Sequence, residues 1–178
     1  QAKLAEFGKQ VQWLSQWPDT LQGVVVGNEV LDAMPVKLLN RIQGVWHERG
    51  VVVADVATHP DGLAWEDRST ELKPPLEPSG DHDYLTEIQP QGEAFVASLA
   101  ERLLASEKGS AAFFLDYGFP ESEYFHPERH MGTVMCHQAH QADPHPLVSV
   151  GLKDITAHVN FTGMALAGQE AGLQVLGY

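Results

Sequence analysis

Gly23-Val24-Val25-Val26-Gly27-Asn28-Glu29-Val30-Leu31-Asp32-Ala33-Met34-Pro35-Val36 is the stretch on which the reading of this chain turns. Three consecutive valines between glycines are too short a run for a helix and suit a strand. The run carries no polar position, so both of its faces are expected to be covered, as in a parallel sheet packed between helices. Asn28, Glu29 and Asp32 then follow at once. In open α/β sheets the ligand crevice lies outside the carboxyl ends of the strands. Two carboxylates and an amide at that tip can hold a cation through paired, charge-assisted hydrogen bonds. A carboxylate there can also take a proton from an attacking nitrogen. The structural alternative is that Asn28 or Asp32 caps a following helix.

Upstream, Ala2 to Gln10 reads as the tail of a helix with Gly8 as its stop, and Val11 to Leu14 as a short strand. Trp17 to Thr20 is a turn. Downstream, Leu31 to Leu39 reads as a turn or two of helix, with Pro35 tolerated near its start. Residues 41–47, 51–58 and 62–68 then read as strands in direct succession, with Gly50 as a turn. Such succession means antiparallel pairing, so a β-meander over about 40–72 is inserted in the α/β pattern. The Pro-rich segment from Lys73 to Asp81 is expected to be a flexible loop. Gln91 to Lys108 is the clearest helix: Phe95, Leu99 and Leu103 recur every four residues, and Gly109 closes it. Ala111 to Leu115 is a second buried strand, ending in Asp116-Tyr117-Gly118. If the two buried strands are neighbours, their tips border one crevice. There Asp116 and Tyr117 can meet a substrate and Gly118 permits close backbone approach. Phe161 to Ala171 reads as a helix and Leu173 to Tyr178 as a last strand.

Asp154, Thr156, His158 and Asn160 alternate with apolar residues and are expected on one strand face. Asn160 suits a helix N-cap, and His158 is the candidate to face the crevice. His126, His130, Cys136, His137, His140, Asp143 and His145 meet none of the compact zinc spacings, so no metal is expected. Nucleophile-elbow, phosphate-loop and dinucleotide fingerprints are absent from the sequence. Glu29 and Asp32, three residues apart, are poorly placed to straddle a substrate as a hydrolytic carboxylate pair must. The 178 residues suit one domain with a real core, and the apolar fraction of 43% is that of an ordinary globular protein. A formal charge of -13 argues against nucleic acid as a partner and accords with a cationic substrate. No apolar run approaches the ~18 residues of a membrane span. No signal-peptide pattern is visible, and a single cysteine excludes an internal disulfide. The expected compartment is therefore a reducing cytoplasm.

The segment Gly27 to Val36 resembles the signature of the MidA-type methyltransferases, relatives of the mitochondrial complex I assembly factor that methylates a protein arginine. Glu87-Ile88-Gln89-Pro90, Phe114-Leu115-Asp116-Tyr117-Gly118 and Asp154-Ile155-Thr156-Ala157-His158-Val159-Asn160-Phe161 agree in order. The resemblance implies an α/β fold: a partial class I, Rossmann-like methyltransferase sheet that binds S-adenosylmethionine. The triple-valine strand would be fourth and Ala111 to Leu115 fifth in that sheet. It implies Glu29, Asp32 and Asn28 as catalytic, with Asn28 and Glu29 also toward the cofactor, and Asp116, Tyr117 and His158 toward the acceptor. The implied partner is a protein substrate, in the family a respiratory-complex subunit. The inserted meander is available for a partner or for a homodimer contact. These enzymes carry a glycine-rich cofactor loop after their first strand, and nothing like it occurs here. Residues 1–178 are therefore expected to be the C-terminal, substrate-side portion of a methyltransferase domain, beginning after the second strand. The alternative is a non-catalytic module that holds a partner in the same acidic crevice.

Overall fold

The computed structural model describes residues 2–59, 61–139 and 141–178. In chain order, a 3-10 helix (Ala2–Gln10) leads to β1 (Val24–Asn28), β2 (Lys37–Ile42), β3 (Val45–Val53), β4 (Leu63–Ser69) and β5 (Tyr84–Ile88). Then come α1 (Pro90–Leu104), β6 (Ala111–Leu115), β7 (Gly118–Phe119), α2 (Glu121–Tyr124), β8 (Met135–Gln138), β9 (Gln141–Asp143), β10 (Asp154–Thr156), β11 (Val159–Asn160) and α3 (Phe161–Glu170).

β1 and β6 pair in parallel, with Val26 opposite Phe113 and Asn28 opposite Leu115. Their C-terminal tips therefore end side by side. On one face Phe114 joins Leu31, Phe95, Val96, Val159 and Met164 in the main apolar core. α1 reaches that core because Gly92, Val96, Leu99 and Leu103, spaced four, three and four apart, share its buried stripe. The helix starts at Pro90, where a missing N–H costs nothing, and ends at Leu104 rather than Lys108. The opposite sheet face is bare: Val24 and Val26 are each 68% exposed, and Phe113 and Leu115 are exposed beside them. The expectation of two covered faces fails there. Among the described residues the sheet has two strands and one helical layer, so only one face finds cover.

The meander is larger than expected. A four-stranded antiparallel sheet in the order β4-β3-β2-β5 runs from Lys37 to Ile88. The helix expected over Leu31 to Leu39 does not form. Pro35 has no N–H and disfavours helical backbone at Met34, so one turn closes (Met34 N–H to Leu31 O, 3.2 Å) and the chain extends into β2. Gly50 lies within β3, and the turn is Gln43-Gly44 instead. Both residues have positive φ, 50° and 80°, as a two-residue hairpin turn requires. The Pro-rich loop is tied down. Buried Arg41 donates from Nη1 to Glu77 Oε1 and Pro78 O (2.9 Å each) and from Nη2 to Gly80 O (2.8 Å). Its guanidinium carbon lies 5.6 Å from the Trp46 ring centre and 5.7 Å from that of Tyr84.

Gly8, expected to stop the N-terminal helix, instead kinks it at φ 50°, and the span runs on to Gln10; Gln1 lies outside the described residues. Val11 to Leu14 and Leu173 to Tyr178, expected as strands, pair with no described strand and lie outside any sheet. No described helix is long and apolar enough to cross a membrane.

Candidate active site at the strand tips

Asp116 leaves the end of β6 and folds the loop after β1 over the neighbouring tip. Its Oδ2 accepts the N–H groups of Val30 (3.1 Å) and Leu31 (2.9 Å), and its Oδ1 that of Tyr117 (3.0 Å). Glu29 N–H donates to Leu115 O at 2.9 Å. These bonds hold Glu29 at φ 50°, a left-handed conformation that costs a non-glycine residue roughly 1 kcal/mol. The side chains of Asn28 and Glu29 are exposed at the tip and make no hydrogen bond among the described residues. Asp116 is thus a positioning residue. Both of its oxygens accept main-chain amides, which fixes the carboxylate between the two strand tips.

Asp32 is 7% exposed. No helix follows it, which removes the capping alternative. Its main-chain oxygen accepts the Ala157 N–H at 2.9 Å, tying the loop to the link between β10 and β11. Its Oδ1 is buried and has no hydrogen-bond partner among the described residues. Burial, followed by the negative charges of Asp116, Glu29 and Asp154, raises its pKa above the usual carboxylate range; the Ala33 N–H partly offsets this.

His158 sits in that same link. Its N–H donates to Thr133 Oγ1 (3.0 Å) and its oxygen accepts from Gln89 Nε2 (2.9 Å). The imidazole lies 5.0 Å from the Phe119 ring, over which Arg129 stacks at 3.9 Å. Burial and then the Arg129 charge push the imidazole pKa down, favouring the neutral ring, and Nδ1 is buried without a partner among the described residues. Tyr117 is exposed, and its oxygen accepts the Val159 N–H at 2.8 Å. Next to it, a Cβ at Gly118 would stand 2.0 Å from Val159 O, so only glycine lets β7 lie against β11. The alternation from Asp154 to Asn160 is broken between Thr156 and Val159, so those four polar residues do not share one strand face. Asn160 does cap α3, accepting the Gly163 N–H at 3.3 Å. Of the histidine-rich segment, His140 lies outside the described residues.

Beneath this cluster lies a polar frame built on Glu87 and Gln89, residues that the sequence reading met only as part of a resembling stretch and gave no role. Glu87 is fully buried and accepts from Thr133 N–H (2.7 Å), Val134 N–H (3.1 Å), Thr133 Oγ1 and Tyr124 OH (3.2 Å each). Gln89 joins Asn160 N–H (2.8 Å) to His158 O. The signal was the polar pair Glu87 and Gln89 on a strand otherwise entering the core. Beside Asp32 a cavity of about 320 Å³ opens between the Asp32–Val36 loop, the β3–β4 ribbon and β10.

Parallel strand tips, a stapled acidic loop and a helical layer on one face define a methyltransferase-like α/β fold. The family model described as "Putative S-adenosyl-L-methionine-dependent methyltransferase" matches residues 1–178, and the chain belongs to that family. A structure from Burkholderia thailandensis, described as a "likely methyl transferase" bound to S-adenosyl-homocysteine, is 38% identical with a TM-score of 0.80. The match covers 96% of this chain and 43% of that one. An uncharacterized protein of the same superfamily and organism is 37% identical, also with a TM-score of 0.80, over 96% of this chain and 46% of its own. The chain thus spans less than half the length of these solved relatives. Comparison with curated proteins gives no match. At the tip, the Asn28 amide and Glu29 carboxylate are exposed and unengaged among the described residues, polar groups of the kind that a ligand with a cationic and an amino-acid part can engage.

Proposed function

We propose that this chain carries the acceptor side of an S-adenosylmethionine-dependent N-methyltransferase acting on a protein side chain such as arginine, in the manner of the MidA-type enzymes. One observation carries the reading: Asp116 folds the Asn28–Asp32 loop across the tip of β6. The exposed Glu29 carboxylate and the buried Asp32 carboxylate, its Oδ1 unpartnered among the described residues, therefore stand on one short loop beside that tip. Bound S-adenosylmethionine supplies an electrophilic methyl on sulfur. Asn28 and Glu29 are the residues of this chain that would face it. Glu29 pairs with two N–H groups of the guanidinium and turns the remaining nitrogen toward the methyl. Holding that line of attack is where much of the acceleration arises. A nitrogen so held would bond to the methyl carbon as the carbon–sulfur bond breaks, leaving the thioether S-adenosylhomocysteine, and its proton would pass to a carboxylate, Glu29 or Asp32. Tyr117 and neutral His158 form the acceptor wall.

In the full-length protein, Glu29→Gln is expected to lower turnover on an arginine-containing peptide by roughly 10²-fold or more. Affinity for S-adenosylmethionine, measured by calorimetry, should stay within about threefold. Turnover that survives the substitution removes Glu29 from the mechanism. Failure of the wild-type protein to bind S-adenosylmethionine would instead point to a module that holds a partner without chemistry.

A further inference from the structure

The chain has 11 Lys and Arg against 24 Asp and Glu, so a cation without an acid stands out. Of the cations drawn in from solvent, Arg41, Arg49 and Lys153 hold the carboxylates of Glu77, Asp67 and Asp143. Arg102 gives its Nη1 to Ser98 O (2.8 Å) and Ser98 Oγ (2.7 Å). Arg129, half-buried between α2 and β8, differs. Its Nε donates to Glu123 O at 3.2 Å, while Nη1 and Nη2 make no hydrogen bond among the described residues. No carboxylate among those residues lies within ion-pair reach of it. Arg41 and Arg102 each have an Nε sealed from solvent without a partner; Arg129 has no such atom, so its terminal nitrogens stay open.

An aromatic ring holds Arg129 in place. Its guanidinium carbon lies 3.9 Å from the centre of Phe119. Stacking there fixes the planar group and leaves its donor edge free to fork onto a carboxylate. Phe119 belongs to β7, two residues beyond Tyr117, and its ring lies 5.0 Å from the His158 imidazole. The Arg129 charge is felt at that imidazole, which it helps to keep neutral. A positive group beside the acceptor wall repels a cationic acceptor, but it attracts an acid carried next to one. Two residues of extended chain span roughly 7 Å, which sets the reach between them.

We propose that Arg129, seated on Phe119, binds the carboxylate of an acidic residue close in sequence to the acceptor of the substrate protein, and so selects which side chain is methylated. The proposal rests on the reading of Tyr117 and His158 as the acceptor wall. It deepens that reading: a segment that carries a cation and an acid side by side meets Glu29 with the one and Arg129 with the other, which fixes its direction and register.

The test is calorimetry on the full-length protein with S-adenosylhomocysteine present, which has no methyl to give. The probes are acetylated pentapeptide amides with arginine at the centre, glycine elsewhere, and aspartate or asparagine at each other position in turn. At one position or more, the aspartate peptide should bind roughly tenfold tighter than its asparagine twin. Arg129→Met should bring that ratio to about one. Arg129→Glu should reverse it, so that lysine at that position binds better than asparagine. Equal binding of the twins in the wild type, no binding of any probe, a ratio unmoved by either variant, or loss of both twins together overturns the proposal. So does a loss of S-adenosylhomocysteine affinity in Arg129→Met, which would give the guanidinium to the cofactor's own carboxylate. Mass spectrometry with S-adenosylmethionine runs alongside. Methyl transfer without an aspartate preference sinks the carboxylate site alone; an aspartate preference that needs Arg129, without methyl transfer, sinks the methyltransferase reading alone.

Discussion

Asp32 and Glu87 are both carboxyl groups removed from water, yet their surroundings give them different work. Four donors converge on Glu87. Burial still outweighs them and raises its pKa. The folded state then keeps a proton that the unfolded chain releases, so this group's contribution is full below the ordinary glutamate pKa and is lost as pH rises toward the folded value. Glu87→Gln can keep its amide oxygen on the two main-chain N–H groups while the hydroxyls rotate to accept. Urea midpoints measured from pH 4 to 8 should therefore fall less with rising pH in the variant than in the wild type. Parallel curves would assign the slope to another group. Asp32 has its pKa raised by burial first and then by the like charges of Asp116, Glu29 and Asp154, so on the proposed mechanism the acid limb of kcat/KM is expected above the ordinary carboxylate range. Asp154→Asn removes one of those charges and should shift that limb to lower pH, with the plateau unchanged. Asp32 was legible in the sequence because a carboxylate directly after an apolar strand stands out. Glu87 was not, because its partner Thr133 lies 46 residues away.

At the scale of elements, local chemistry was readable wherever one short rule governed it. The valine run gave β1, the four-residue apolar repeat gave α1, and Asn160 gave the start of α3. Misreadings arose where two rules competed. Pro35 against a helical pattern was settled for the strand. Gly50 drew attention as a turn, although Gln43-Gly44 had the geometry for one. The tightest constraint on any element is Gly118, whose β7 strand lies against the main chain of Val159. Gly118→Ala meets backbone rather than a flexible side chain, so β7 and β11 must part. We expect a loss of about 3 kcal/mol or more by chemical denaturation. Because Val159 N–H is held by Tyr117 O, the acceptor wall should loosen with it, raising KM for an arginine peptide more than it lowers kcat. A variant as stable as the wild type would mean that the strands separate without cost.

Over the whole molecule, the bare outer face of β1 and β6 shows what a single pattern cannot tell: hydrophobicity says that a strand wants cover, not where the cover comes from. Charge behaves differently, because it acts at a distance and needs no partner specified in advance. With a formal charge of -13, the chain attracts a cation well before contact, whereas on the proposed function Asp32 is expected to act only after arrival. The two contributions separate in kinetics. The association rate of a labelled arginine peptide with the full-length protein should fall as salt is raised from about 10 mM to about 150 mM, which shortens the screening length from roughly 30 Å to roughly 8 Å. The dissociation rate should change little. Asp32→Asn should do the reverse, speeding dissociation while keeping most of the salt slope of association, since one charge in thirteen is a small part of the field but the whole of the local pair. Stopped-flow fluorescence reads both rates. A salt-insensitive association rate would mean that the acidic surface serves solubility alone, leaving recognition to the crevice.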